Sequence, residues 1–273
     1  MNLLSNGYLL RFFKAFRRFF LRKIIVSFIV MALLWSCSGN KPRPDWSAAE
    51  YYRYAMKKFL SGDYYDAANE FSVVVLRYAG SAFADSAQFY LGESHFFNKE
   101  YLIAASEYEK LILNMGRSPL VPMAQFKLGE SYYKLSPRPG LDQGYTERAI
   151  REYQNFIEDY PTHELREEAE RKIAELRDKL SFKHFTNAKN YIKMRKYKSA
   201  LIYFDLVLNN FYDTQYADDA LLGKIEVYEL LQDYEAIKDE YIRFLKMFPN
   251  SKLLSDVQSV VASLPKEYQN IEE

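Results

Sequence analysis

The sequence predicts an all-helical fold of stacked helix pairs, and three observations carry that prediction. Residues 87–94 (AQFYLGES) recur 37 residues later as residues 124–131 (AQFKLGES), with seven of the eight positions identical. A triad spaced i, i+3, i+7 recurs five times, as Tyr64/Ala67/Phe71, Tyr101/Ala104/Tyr108, Thr146/Ala149/Tyr153, Tyr197/Ala200/Phe204 and Tyr234/Ile237/Tyr241. The 10 Gly and 9 Pro sit mostly between the apolar-periodic segments, in a chain that holds 24 Tyr and 20 Phe.

The triad spacing has a physical cause. Positions i, i+3 and i+7 share one helix face, and a small residue between two aromatics lets a second helix approach closely. The partner helices carry their own close-approach residue: Ala55, Gly92, Ala188 and Ile225 stand twelve residues before a triad centre, and Gly129 stands 20 before. Pro161 and Pro249 stand twelve residues after the third and fifth centres, where a helix must stop. These features place helix pairs at 47–60 with 64–79, 82–97 with 101–115, 119–135 with 146–160, 181–194 with 197–211, and 215–231 with 234–248. A capping helix is expected over 251–263.

Two steps between triad centres exceed 37 residues. The step of 45 places its excess in residues 136–144 (SPRPGLDQG), which cannot be helical and read as an exposed excursion. The step of 51 adds residues 164–179, where Leu165, Ala169, Ile173, Leu176 and Leu180 keep a helical rhythm. That stretch reads as a linking helix at 163–180, running toward or into the first helix of the fourth pair. It separates N-terminal repeats at 47–162 from C-terminal repeats and cap at 181–264, leaving a tail at 265–273.

The N-terminus follows different rules. Residues 1–36 hold Arg11, Lys14, Arg17, Arg18, Arg22 and Lys23 and no acidic residue. Residues 24–35 are apolar apart from Ser27, short of the roughly 20 residues needed to span a bilayer and suited to a signal-peptide core. Leu34-Trp35-Ser36-Cys37 follows, and Cys37 is the single cysteine of the chain. The tetrapeptide resembles a bacterial lipobox, with Trp35 where a smaller residue is usual. The resemblance implies a leader at 1–36, lipidation of Cys37, and a lipid-anchored tether over 37–46. Loss of the leader turns the formal charge of +1 into 31 basic against 36 acidic residues, a net of −5. A mildly acidic domain lacks the basic face that a nucleic-acid partner requires.

No catalytic constellation emerges. His95, His163 and His184 fall in different repeats, without metal-ligand spacing, and no nucleophile elbow, phosphate loop or dinucleotide fingerprint occurs. The expectation is a non-enzymatic protein with no cofactor and no metal.

In its own register the repeat resembles the tetratricopeptide consensus, with a small residue midway along the first helix and Tyr132, Tyr191 and Tyr228 three residues later. That likeness covers about residues 47–250 and implies a right-handed superhelix of five helix pairs closed by a C-terminal capping helix. Such repeats line a concave surface with their first helices. The groove positions are Tyr52, Met56 and Phe59, then Phe89, Glu93 and Phe96, then Phe126, Glu130 and Tyr133. Of these, Tyr52, Phe89, Glu93, Phe96, Phe126, Glu130 and Tyr133 form a candidate peptide-binding groove, with aromatic anchors around two stacked glutamates.

A lipobox followed by five such repeats split three plus two resembles the BamD family. Residues 166–180 (REEAERKIAELRDKL) and the repeat ends Tyr160-Pro161-Thr162 and Phe248-Pro249-Asn250-Ser251 add to the likeness. The resemblance implies an outer-membrane lipoprotein on the periplasmic face, a scaffold subunit of the β-barrel assembly machinery. Its C-terminal repeats would bind a BamA-like barrel subunit, and its N-terminal groove would take unfolded outer-membrane-protein segments. The competing reading is a periplasmic tetratricopeptide adaptor of the Tol-Pal coordinator type, which the lack of heptads before Trp46 disfavours.

Overall fold

The computed structural model describes residues 43–269, so Cys37, the leader at 1–36 and the first part of the tether lie outside the described residues. Residues 43–47 contribute one turn, in which the Trp46 N–H donates to the Arg43 carbonyl at 3.1 Å. From Ala48 onward the chain is helical, with twelve helices and no strand among the described residues. In chain order these are α1 (Ala48–Leu60), α2 (Tyr64–Arg77), α3 (Ala84–Phe97), α4 (Tyr101–Asn114), α5 (Val121–Leu135), α6 (Gly144–Asp159), α7 (Arg166–Lys193), α8 (Tyr197–Asn210), α9 (Ala217–Leu231), α10 (Tyr234–Met247), α11 (Leu254–Ala262) and α12 (Lys266–Gln269). α1/α2, α3/α4, α5/α6, α7/α8 and α9/α10 are five tetratricopeptide-type pairs.

The triads explain the pairing. All five centres, Ala67, Ala104, Ala149, Ala200 and Ile237, are fully buried, as are the aromatics Phe71, Tyr108, Tyr153 and Phe204 beside four of them. Fully burying such a side chain contributes about 1.5–3 kcal/mol, so the repeated face is the main source of cohesion.

The turns between repeats are themselves repeated. Each second helix ends on a residue whose N–H bonds the fourth carbonyl back: Tyr78, Met115, Tyr160, Phe211 and Phe248. Three residues on, the N–H groups of Ser81, Ser118, His163, Thr214 and Ser251 return to the carbonyls of those same end residues at 2.8–3.1 Å. Ser81, Ser118, His163 and Ser251 then accept, through the side chain, the N–H two residues later at 3.0–3.3 Å. This turn starts α3, α5, α9 and α11 two or three residues later than the periodicity suggested; before α3, α5 and α11 the serine side chain holds those residues out of the helix. It also ends helices without a proline: α2, α4 and α8 stop at the same place as α6 and α10, which Pro161 and Pro249 follow.

Within repeats the first helix closes through a left-handed residue, Gly62 (φ 83°), Lys99 (φ 65°), Arg195 (φ 56°) or Gln232 (φ 60°). In each case the next N–H reaches back five residues, as from Glu100 to His95 at 2.9 Å.

Two stretches lie outside the regular repeat. The linking segment and the first helix of the fourth repeat are one continuous 28-residue helix, α7, about 42 Å long at 1.5 Å per residue. One cluster of buried residues runs from Phe89 to Leu176, and another from Ala188 to Leu264. The loop at 136–144 is anchored as well as exposed. Its buried Gln143 donates to the Arg138 and Leu141 carbonyls at 3.0 and 3.1 Å and accepts from the Thr146 hydroxyl at 2.7 Å. From α7, Lys179 donates to Ser136 at 2.8 Å and Lys183 to the Leu141 carbonyl at 2.7 Å.

Candidate functional site

The groove residues on α3 and α5 are positioned by two glycines that admit an aromatic ring against the helix backbone. A Cβ on Gly92 would stand 2.7 Å from the Tyr108 ring, and one on Gly129 would stand 3.0 Å from the Tyr153 ring. The α3/α4 and α5/α6 pairs therefore sit closely enough for each tyrosine hydroxyl to pass across the first helix toward its glutamate row.

At that row the structure builds a charged cluster. The Tyr108 hydroxyl donates to Glu93 at 2.5 Å. Lys127 lies 2.9 Å from Glu130 and 3.5 Å from Glu93, with its ammonium 4.8 Å above the Phe96 ring. Burial is the largest influence on Lys127 and acts to lower its pKa, yet the two carboxylates together outweigh it and raise the pKa. Burial, followed by Glu93, raises the Tyr108 hydroxyl, so it stays a donor. Burial, followed by Glu130, raises Tyr153 too, but its buried hydroxyl has no hydrogen-bond partner. The cluster passes to α7 through Tyr133, which donates to Glu175 at 2.6 Å under the Lys172 ammonium at 3.9 Å from its ring. That hydrogen bond, then burial, pushes Tyr133 up to about 12.

The three phenylalanines have a different place from the one expected. Phe89, Phe96 and Phe126 are only 8, 8 and 6% exposed. They pack against Tyr108 at 5.8 Å, Tyr101 at 5.2 Å and Tyr153 at 5.5 Å. Their large apolar rings gain more by filling the spaces between helices than by facing water, so they present little surface to a ligand in this arrangement. Glu93 is likewise buried, under Tyr108 and Lys127. Tyr52, Glu130 and Tyr133 are half-buried and reachable. Tyr52 leans on Phe71 at 5.8 Å and Phe83 at 5.2 Å, and burial raises its hydroxyl pKa, with Tyr90 adding to it.

The profile of a family described as "YfiO: Outer membrane lipoprotein" matches residues 44–242. The chain belongs to that family. The YfiO family is the one to which the BamD resemblance pointed, a family of outer membrane lipoproteins. No curated protein sequence matches it. Similar solved structures include a tetratricopeptide repeat protein from Parabacteroides merdae, at 14% identity over 79% of this chain and 72% of that one, TM-score 0.35. The TPR2AB domain of yeast Sti1 in its pHSP90 complex shares 12% identity over 79% and 88%, TM-score 0.38. The thermophilic repeat protein TTC0263 of Thermus thermophilus shares 15% over 79% and 100%, TM-score 0.35. None of these likenesses bears on function.

Within this YfiO-family chain the sequence-level reading missed Lys127, although one signal marked it. Lys127 is the single mismatch between the two octapeptides, opposite Tyr90. Tyr90 stacks on Phe71 of the preceding repeat at 5.8 Å, whereas Lys127 reaches back to Glu93. A second paired cation, this one buried, went unnoticed in the C-terminal repeats: Lys224, 6% exposed, lies 2.7 Å from Asp205 and 2.5 Å from Glu240. The histidines remain apart, with His95 bonded to Glu100 at 2.7 Å and His184 stacked on Phe211 at 5.7 Å. Among the described residues no group of His, Cys, Asp or Glu is placed to hold a metal ion, and no helix is long and apolar enough to cross a membrane.

Proposed function

We propose that the chain is a non-catalytic scaffold subunit of the outer-membrane β-barrel assembly machinery, anchored through Cys37 to the periplasmic face of the outer membrane. The observation that carries this reading is the outer-membrane lipoprotein family match over residues 44–242. The separate buried clusters on either side of the middle of α7 support a division of labour. In it, the repeats after α7 hold a BamA-like barrel subunit, and the three before it receive unfolded outer-membrane-protein segments. Tyr52, Glu130 and Tyr133 are the reachable members of the client groove, and Phe89, Glu93, Phe96 and Phe126 lie in the packing beneath it.

The test is purification of the tagged protein from detergent-solubilised membranes. A barrel subunit should accompany it, and depletion should impair barrel biogenesis. Recovery of the protein alone, with barrel biogenesis intact after depletion, overturns the proposal.

A further inference from the structure

We infer that the outer face of the first two repeats rests on the lipid bilayer to which the chain is tethered. This rests on the anchoring half of the proposed function and is independent of the barrel partner.

The repeat supplies its own internal comparison. Nine residues after the triad centre stand Leu76 and Leu113, then Glu158, Asn209 and Lys246. Two residues before it stand Tyr65 and Leu102, then Glu147, Lys198 and Glu235. In the first two repeats these side chains are exposed to 81 and 75% for the leucines nine after, and to 68 and 51% for Tyr65 and Leu102. In the second repeat Ile103 extends this face at 47%, at the position where the first repeat has Asp66 and the third Arg148. The opposite sides of α2 and α4, with Phe71, Val74, Tyr108 and Leu111, are fully buried. The exposed positions therefore point away from the helix array.

A single exposed leucine needs no explanation, but the same two positions turn apolar in adjacent repeats and polar in the other three, setting apolar anchors at both ends of α2 and α4 with Asn69, Ser72, Ser106 and Glu109 between them. Chain length identifies what these anchors meet. Ten residues lie between Cys37 and Ala48, eleven backbone steps with a reach of at most about 39 Å when fully extended. The first two repeats are thus the part of the array held against the membrane surface. Leucine, isoleucine and tyrosine are the side chains a bilayer interface accepts, while the charges of the third repeat suit water.

Cys37 is the only cysteine, and its lipidation leaves no free thiol. The mature lipidated protein with Leu76→Cys, Leu113→Cys or Glu158→Cys, labelled with a polarity-sensitive dye, would be reconstituted into protein-free phosphatidylethanolamine–phosphatidylglycerol vesicles. The dye at 76 and 113 should emit blue-shifted light and be quenched by doxyl-labelled lipid, and the dye at 158 should do neither. Equal, water-like emission at all three positions overturns the inference. So does a shift at 76 and 113 that appears only on adding another protein or on raising the protein density, which would indicate a partner subunit or a second copy. Failure of the protein to float with the vesicles overturns the inference together with the lipid anchor, whereas flotation without a shift overturns the inference alone.

Discussion

Gly92 packs face-on against the ring of Tyr108, so closely that a Cβ on the glycine would stand 2.7 Å from Tyr108 Cε1. The ring cannot retreat, because Tyr108 is fully buried and its hydroxyl is held by Glu93. Overpacking a filled site costs about 1–3 kcal/mol, and the better helix propensity of alanine returns about 1 kcal/mol of that. Gly92→Ala should therefore lower stability by up to about 2 kcal/mol in denaturant titration. Gly223→Ala, where the approach to Phe204 is 2.5 Å, should cost more, and Gly129→Ala, at 3.0 Å from Tyr153, less. Gly80→Ala, with no atom within 4 Å, should show no loss, and equal effects at all four sites would contradict this packing.

Lys127 is the cation between two carboxylates, 3.5 Å from Glu93 and 2.9 Å from Glu130. Lys127→Met keeps the apolar stem over Phe96 and leaves the buried Glu93 without its charge partner. The expected loss is roughly 1–3 kcal/mol, the cost of an unsatisfied buried polar group. Adding Glu93→Gln to Lys127→Met should recover part of it in the same titration. A neutral Lys127→Met variant would show that the cluster does not hold α3 to α5.

His184 predicts an acid sensitivity. Burial lowers its pKa from 6.5, with Lys183 adding to the shift, and its Nδ1 is buried without a hydrogen-bond partner. A depressed folded pKa means that the unfolded chain binds the proton more readily, so stability rises with pH across the window. The contribution is fully present above 6.5, is lost as pH falls from there to the folded value, and is absent below it. Replacing His184 by Phe keeps the stacking on Phe211 and should flatten the stability profile between neutral and mildly acidic pH. An unchanged profile in the variant would assign the sensitivity elsewhere.

The left-handed closures predict opposite signs at equivalent positions. A non-glycine residue there costs about 1–2 kcal/mol, which glycine avoids. Gly62→Ala at φ 83° should lower the melting temperature, and Gln232→Gly at φ 60° should raise it. A rise in the first or a fall in the second would contradict the turn geometry.

The helix pairs were legible because a small residue between two aromatics is a local pattern with a local cause. Ala67, Ala104, Ala149, Ala200 and Ile237 all proved fully buried. The turns were less legible. Ser81, Ser118, His163, Thr214 and Ser251 form one repeated device, yet a histidine standing for a serine hides it from any comparison of residue types. The groove was the least legible part. Position in the repeat says which way a side chain leaves its helix, but whether it meets water depends on the neighbouring pair. Phe89, Phe96 and Phe126 meet Tyr108, Tyr101 and Tyr153 instead. Lys127 needed the third dimension as well, since its partner Glu93 belongs to the preceding repeat.

Site-specific photocrosslinking in intact cells is the measurement that tests the account's central claim most directly. A crosslinker at Ile202, Tyr212 or Leu230, exposed to 61, 60 and 56% in the C-terminal repeats, should capture one barrel subunit of constant mass. A crosslinker at Tyr52 or Tyr133 should capture a range of newly made outer-membrane proteins, and that capture should fade when their synthesis stops. Barrel capture confined to the N-terminal positions, or no outer-membrane protein at either set, would contradict a scaffold that keeps its permanent partner and its clients on separate repeats.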